Sequence, residues 1–165
     1  MAETLYNILV HTYHPDKTLR TQAETALESY VTTEPTALVS LLAIVKNREV
    51  DSGLRKAATI QVKNKVKLLW PVTDPSKAKG VILSLEVKET IKNEIIMTIL
   101  DESDNSVRKL LAETFRKLIE YEFPDNWPNL IPNIMVLAQT ENVLRMHNSL
   151  LLVRHLAKRF EFKPL

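Results

Sequence analysis

The sequence contains no cysteine, which removes disulfides, thiolate nucleophiles and cysteine-based zinc or iron–sulfur sites together. A chain without thiols suits a reducing compartment. It has only two glycines in 165 residues, Gly53 and Gly80. Strand-rich folds need positive-φ positions at many turns and draw on glycine for them, so this scarcity argues for helices. There is no Gly-rich phosphate loop, so the chain itself is not expected to hydrolyse a nucleotide. No apolar run approaches the roughly 18 residues that span a bilayer, and the opening MAETLYNILVHTYHPDK lacks the basic flank of a signal peptide. An excess of one charge is missing too. Lys and Arg number 22 against 20 Asp and Glu, a net charge of +2, so no overall field steers the chain to nucleic acid or anionic lipid. His11 and His14 stand three apart with no third ligand, and His147 and His155 share a helix face with no nucleophile beside them. No catalytic, cofactor or metal site is expected.

What is present is helical patterning. Apolar content of 45% with 25% charged residues describes a soluble globular protein. Apolar residues recur at helical spacing through eight segments, 2–13, 16–32, 35–47, 52–69, 86–101, 105–122, 126–138 and 141–160. Short polar or proline-bearing turns separate them, and the longest break, 71–84, has room for one helical turn. Helices joined by short turns pack as antiparallel pairs. The expected class is all-α, with about four such pairs.

The second helix of each pair opens on the same pattern: DKTLR, DSGLR, DNSVR and ENVLR. The acid, aliphatic and Arg positions are Asp16, Leu19 and Arg20; Asp51, Leu54 and Arg55; Asp104, Val107 and Arg108; and Glu141, Leu144 and Arg145. Successive copies lie 35, 53 and 37 residues apart. An acid at this place accepts N–H bonds from the first helical turn and suits the positive helix end. It also stands four residues before the Arg, a spacing that invites an ion pair on one face. Units that cannot bury their own apolar faces stack into a solenoid, and this pattern is that of HEAT repeats.

The stretch LRKAATIQVKNKVKLLWP, residues 54–71, threads five Lys or Arg among nine apolar residues. On a helical wheel Leu54, Ala58, Val62, Leu68 and Leu69 form a packing face on which Gln61 and Lys65 intrude. Lys56, Lys63 and Lys67 form a ridge opposite. The equivalent ridge one repeat later reads Lys109, Arg116 and Glu120, so the sign of the charge changes along it. A mixed ridge suits a folded protein partner better than a phosphate backbone, and aromatic content of 6% gives little for base stacking. Trp70 and Trp127 read as packing residues between repeats.

These segments resemble the amino-terminal region of the importin-β (karyopherin-β) transport receptors over roughly residues 3–162. LRTQAETALESY resembles the family's Arg-x-x-Ala-Glu-x-x-Leu signature. Residues 54–71 resemble its Arg-x-x-Ala…Leu-Lys-Asn…Trp segment, with Val62 where Leu is commoner. EVKETIKNEIIMTIL, followed by VRKLLAETFRKLIEYEFPDNWPNLIP, resembles its third repeat and Phe-Pro-x-x-Trp-Pro link, and LVRHLAKRFEFKPL is similar to the branch with importins seven and eight. The resemblance implies the first part of a longer HEAT solenoid, with an importin-β N-terminal domain at about 19–71. It implies binding to the GTP form of the small GTPase Ran through Lys56, Lys63, Asn64, Lys67 and Arg116. It implies, too, that cargo and nucleoporin Phe-Gly segments bind elsewhere along the arch and that the receptor shuttles between cytoplasm and nucleus. Neither membrane nor direct nucleic-acid binding is expected. A HEAT scaffold that joins subunits without Ran is the competing reading.

Overall fold

The computed structural model describes residues 2–161, and the described residues form helices and no strand. The α-helices are α1 (Ala2–His11), α2 (Lys17–Thr33), α3 (Ala37–Lys46), α4 (Ser52–Leu69), α5 (Leu85–Asp101), α6 (Asn105–Glu122), α7 (Leu130–Ala138) and α8 (Val143–Phe160). A single 3-10 turn, Pro75–Lys77, interrupts the long connection before α5. None of these helices is long and apolar enough to cross a membrane. The helices pack as the pairs α1/α2, α3/α4, α5/α6 and α7/α8. Two layers stack across the pairs: α1 on α3 on α5, and α4 on α6 on α8. One apolar core runs from Leu5 and Leu9 through Leu41, Val62, Ile95 and Phe115 to Leu152.

The start of each second helix follows from its capping residue. Asp16 accepts the Leu19 N–H at 3.0 Å, Asp51 accepts those of Gly53 and Leu54, and Asp104 accepts those of Ser106 and Val107. The fourth helix departs from the expected pattern. Asn142, not Glu141, caps α8 by accepting the Arg145 N–H at 3.1 Å, so this helix begins one residue later relative to its acid. An amide oxygen caps as well as a carboxylate, and Asn142 stands next to the first helical residue.

The expected pairing of each acid with the Arg four residues on is not made. The three aspartates are occupied by their own first turns, and each of the four arginines reaches out of its helix instead. Arg20 donates to the His14 carbonyl at 3.1 Å and Arg108 to the Glu102 carbonyl at 3.3 Å, each six residues back. Arg55 donates to the Val45 carbonyl at 2.8 Å. Arg145 grips both oxygens of Asp101, at 2.6 and 2.8 Å. Helix ends leave carbonyls without intrahelical partners, and three of the arginines answer that need across a turn. Each therefore latches its helix to an earlier helix end.

The largest shift of a helix boundary is at α7. α7 begins at Leu130 rather than 126, because Pro124 and Pro128 lack N–H donors and the segment folds as successive turns. There Asn126 donates to the Glu122 carbonyl and Trp127 to that of Pro124. The 71–84 connection is strapped to α2 by the Val81 N–H donating to the Thr32 carbonyl at 2.7 Å. The last pair keeps Ile131, Met135, Val136, Leu150 and Phe160 exposed.

Candidate protein-docking surface

α4 is built by opposing demands on its faces. Ala58, Val62, Val66 and Leu69 are fully or almost fully buried. Lys65, which intrudes on that face, is buried along its stem and pairs its ammonium with Glu28 of α2. Ile60, Asn64 and Lys67 point to solvent, while Lys56 and Lys63 are half-buried.

The five expected contact residues therefore differ in kind. Lys63 Nζ lies 3.1 Å from the Glu113 carboxylate, so its charge bridges α4 to α6. Lys56 stands near Asp104, whose pKa falls from 3.8 to about 2, chiefly through the Ser52 hydroxyl donating to it at 2.7 Å. Asn64 and Lys67 are exposed, and Lys67 has no ion-pair partner among the described residues. Arg116 is exposed on α6 but lines a separate cleft against α8, with Glu120, His155, Lys158, Arg159 and Glu161. Within that ridge Lys109 and Glu120 are exposed as well, and Glu120 is held by Lys117 at 2.6 Å. The ridge on α4 is thus a surface of Asn64 and Lys67 flanked by the half-buried Lys56 and by Lys63, which is paired with Glu113.

Beside it, α1, α2 and α4 enclose a groove of about 440 Å³ lined by Leu9, Tyr13, Glu24, Leu27, Ile60 and Gln61, among others. Tyr13 and Ile60 are exposed there, so the α4 surface offers an apolar foothold next to its polar ridge. Among the described residues no three His, Asp, Glu or Cys side chains converge as metal ligands. His11 and His14 stack ring on ring, 6.3 Å between centroids, and hydrogen-bond to nearby backbone.

Both tryptophans are buried, as expected, and they belong to one polar cluster that holds α4, α5 and α6 together. Trp70 Nε1 donates to Glu122 Oε1 at 2.7 Å. Lys92, 1% exposed, lies 3.5 Å from Glu122 Oε2, donates to the Asn126 carbonyl at 3.0 Å and sits 5.2 Å above the Trp127 ring. Lys88 donates to the Trp70 carbonyl and covers its ring. A second buried carboxylate, Glu102, receives Arg48 at 2.5 Å, Arg55, and the Asp104 N–H at 2.7 Å. Asn148 of α8 donates to three carbonyls at the end of α5, those of Ile99, Leu100 and Glu102.

These buried charges were not apparent in a reading that assigned Asp and Glu to caps and solvent. The signal existed for one pair. Glu122 continues the Leu111, Phe115, Leu118 stripe at spacings of four, three and four, and Lys92 shares the stripe of Ile95, Ile96 and Ile99. An acid and a base on apolar stripes of adjoining helices announce a buried pair. Glu102 lies past the end of α5, where periodicity says nothing.

The sequence of residues 23–101 matches the importin-beta N-terminal domain. Importin-8 of Mus musculus is 32% identical over 154 residues, covering 90% of this chain and 15% of that protein. Exportin-2 of Dictyostelium discoideum is 26% identical over 153 residues, covering 93% of this chain and 16% of that protein. The importin-alpha re-exporter of Schizosaccharomyces pombe is 31% identical over 128 residues, 78% of this chain and 13% of that protein. Importer and exporter branches are both represented. Among solved structures, the exportin Cse1 in its cargo-free, cytoplasmic state superposes with a TM-score of 0.81 at 19% identity, over 96% of this chain and 16% of that one. Importin beta gives 0.67 at 19% identity, over 94% and 18%. The fold is that of these HEAT-repeat solenoids. The chain spans about a sixth of the length of the relatives it matches.

Proposed function

From the premise that this chain belongs to the importin-β family of importins and exportins, we propose that its repeats bind the GTP form of the small GTPase Ran and so set when cargo is loaded and released. The observation that carries this reading is the division of labour on α4. Its packing face is filled, while Asn64 and Lys67 of the family-like Lys-Asn segment are presented outward with no packing task. An apolar foothold at Ile60 and Tyr13 lies alongside, which fits a folded protein with both apolar and acidic surface.

Lys67 and Asn64 are the primary contacts in this proposal. Lys56 and Lys63 support them, since Lys56 is half-buried and Lys63 is already paired with Glu113, and both contribute less to a partner. Arg116 extends the contact along α6. Cargo and nucleoporin Phe-Gly segments belong to the receptor's further length, and the shuttling cycle takes it between cytoplasm and nucleus. The importin seven and eight branch is the one proposed, on the ending of α8 and the identity to importin-8.

The test is a comparison of Lys67→Glu and Asn64→Asp with the unaltered chain in a pull-down on Ran loaded with a non-hydrolysable GTP analogue. Both positions are exposed, so helicity by circular dichroism is expected to hold. Retained Ran is expected to fall about tenfold, the weight of one charge-assisted contact made repulsive. Undiminished retention in the folded variants contradicts the assignment of this face.

A further inference from the structure

We propose that the cleft between α6 and α8 binds an acidic peptide segment of another protein, and that His155 makes this binding tighten as pH falls. Several cations between helices elsewhere are paired: Lys46 with Glu94, Arg55 with Glu102, Lys63 with Glu113 and Lys92 with Glu89 and Glu122. The α6–α8 cleft does the opposite. It encloses about 460 Å³ and is lined by Arg116, His155, Lys158 and Arg159, with Glu120 and Glu161 completing it. Among the described residues none of Arg116, Lys158, Arg159 or the neighbouring Arg154 has an ion-pair partner. Glu120, the nearest available carboxylate on α6, is taken by Lys117 at 2.6 Å.

Crowded like charges repel, and a bound anion relieves them. The effect reaches His155, whose pKa is held below 6.5 by burial and then by Arg116, Arg154 and Lys158. No opposing charge comes from the other packed elements. α7 carries no charged residue, and α5 contributes nothing to the cleft lining. Burial and these neighbouring cations therefore disfavour the imidazolium in the free protein. Carboxylates seated beside it favour the imidazolium, so binding takes up a proton. Affinity then rises as pH falls toward the free-protein pKa of His155.

The shape of the cleft favours a peptide over other anions. Its volume exceeds that of a single phosphate and admits several side chains. Glu120 and Glu161 would repel a phosphodiester backbone, whereas a peptide can donate its own N–H groups to them. The proposal needs no GTPase, so its failure leaves the reading of the α4 face untouched.

The experiment titrates the 165-residue chain into a fluorescent Asp/Glu-rich peptide and follows anisotropy. A peptide with Asn and Gln in place of the acids, inorganic phosphate and a single-stranded oligonucleotide serve as rivals. The acidic peptide is expected to bind, and Lys158→Gln with Arg159→Gln to weaken it about tenfold or more. Arg116→Gln, on the other wall, provides a second variant should the first lose helicity. Binding is expected to tighten as pH falls below about 6.5, toward the lowered pKa of free His155, and His155→Gln to remove that dependence. No binding, equal binding of the neutral peptide, preference for the oligonucleotide, or full affinity in the folded charge-removal variants overturns the proposal. A pH dependence that survives His155→Gln overturns the role of His155.

Discussion

Glu122 occupies an apolar position of α6 because two separate donors need it. Trp70 at the end of α4 buries an indole N–H, and Lys92 of α5 buries an ammonium, and one carboxylate serves both. Lys92 also pairs with Glu89 at 2.6 Å, so removing Glu122 leaves the buried Trp70 N–H without an acceptor and deprives Lys92 of one of its two carboxylates. Glu122→Ala is expected to destabilise the fold by about 1–3 kcal/mol, read from urea unfolding. Glu122→Gln, which can still accept from Trp70, is expected to cost less. Changed fluorescence of Trp70 in the folded variant would confirm that the indole has lost its partner, and an unaltered midpoint for Glu122→Ala would refute the cluster. Gly80 poses a different problem at the same scale. A Cβ there would lie 2.8 Å from the Thr32 carbonyl oxygen and 3.2 Å from Leu69 Cδ2, against backbone that cannot yield freely. Gly80→Ala is expected to cost about 1–3 kcal/mol, as overpacking does, and to loosen the Val81–Thr32 strap, which faster exchange of the Val81 amide would reveal.

At the scale of the helix, the linkage between caps makes neighbouring repeats cooperate. Asp104 caps α6 while its other oxygen accepts the hydroxyl of Ser52, the first residue of α4. Because the folded pKa of about 2 lies below the ordinary 3.8, Asp104 stabilises the fold fully above about pH 4. That contribution is lost as pH falls through about 2. Ser52→Ala removes the largest cause of the depression, so the carboxyl is expected to titrate at a higher pH and the acid loss to begin earlier. A carboxyl-carbon titration by NMR checks this; an unmoved pKa would refute it. The helices themselves were largely legible in the sequence. α4 and α6 start and stop as expected because an Asp cap and a sustained 3.6-residue period coincide at those places. The start of α7 was not, since Trp127 is apolar and buried yet belongs to a proline-governed turn. Nor was the partnering of Arg20, Arg55, Arg108 and Arg145 legible, because a short-range spacing of four hides the longer reach of the side chain. Exposure of Lys67 could be read from the wheel; Asn64 borders the packing face there, and its exposure, like the capture of Lys63 by Glu113, depends on how α4 packs against its neighbours.

Across the whole molecule, stacking gives two different surfaces along one layer. Where α4 meets α1 and α2 it opens into the groove beside Asn64 and Lys67, and between α6 and α8 the layer gathers unpaired cations. The buried clusters at Glu102 and Glu122 hold α3 through α6 as one body, so the α4 face is presented on a stiff frame. A rigid frame loses little conformational freedom on binding, which favours recognition of one nucleotide state of a partner over another. The most direct test of the central claim is the affinity of the chain for Ran loaded with a non-hydrolysable GTP analogue beside Ran–GDP, by isothermal titration at equal salt. The account predicts clear preference for the GTP form. Equal affinity for both forms, or binding to neither, would contradict it and favour a HEAT scaffold that works without Ran.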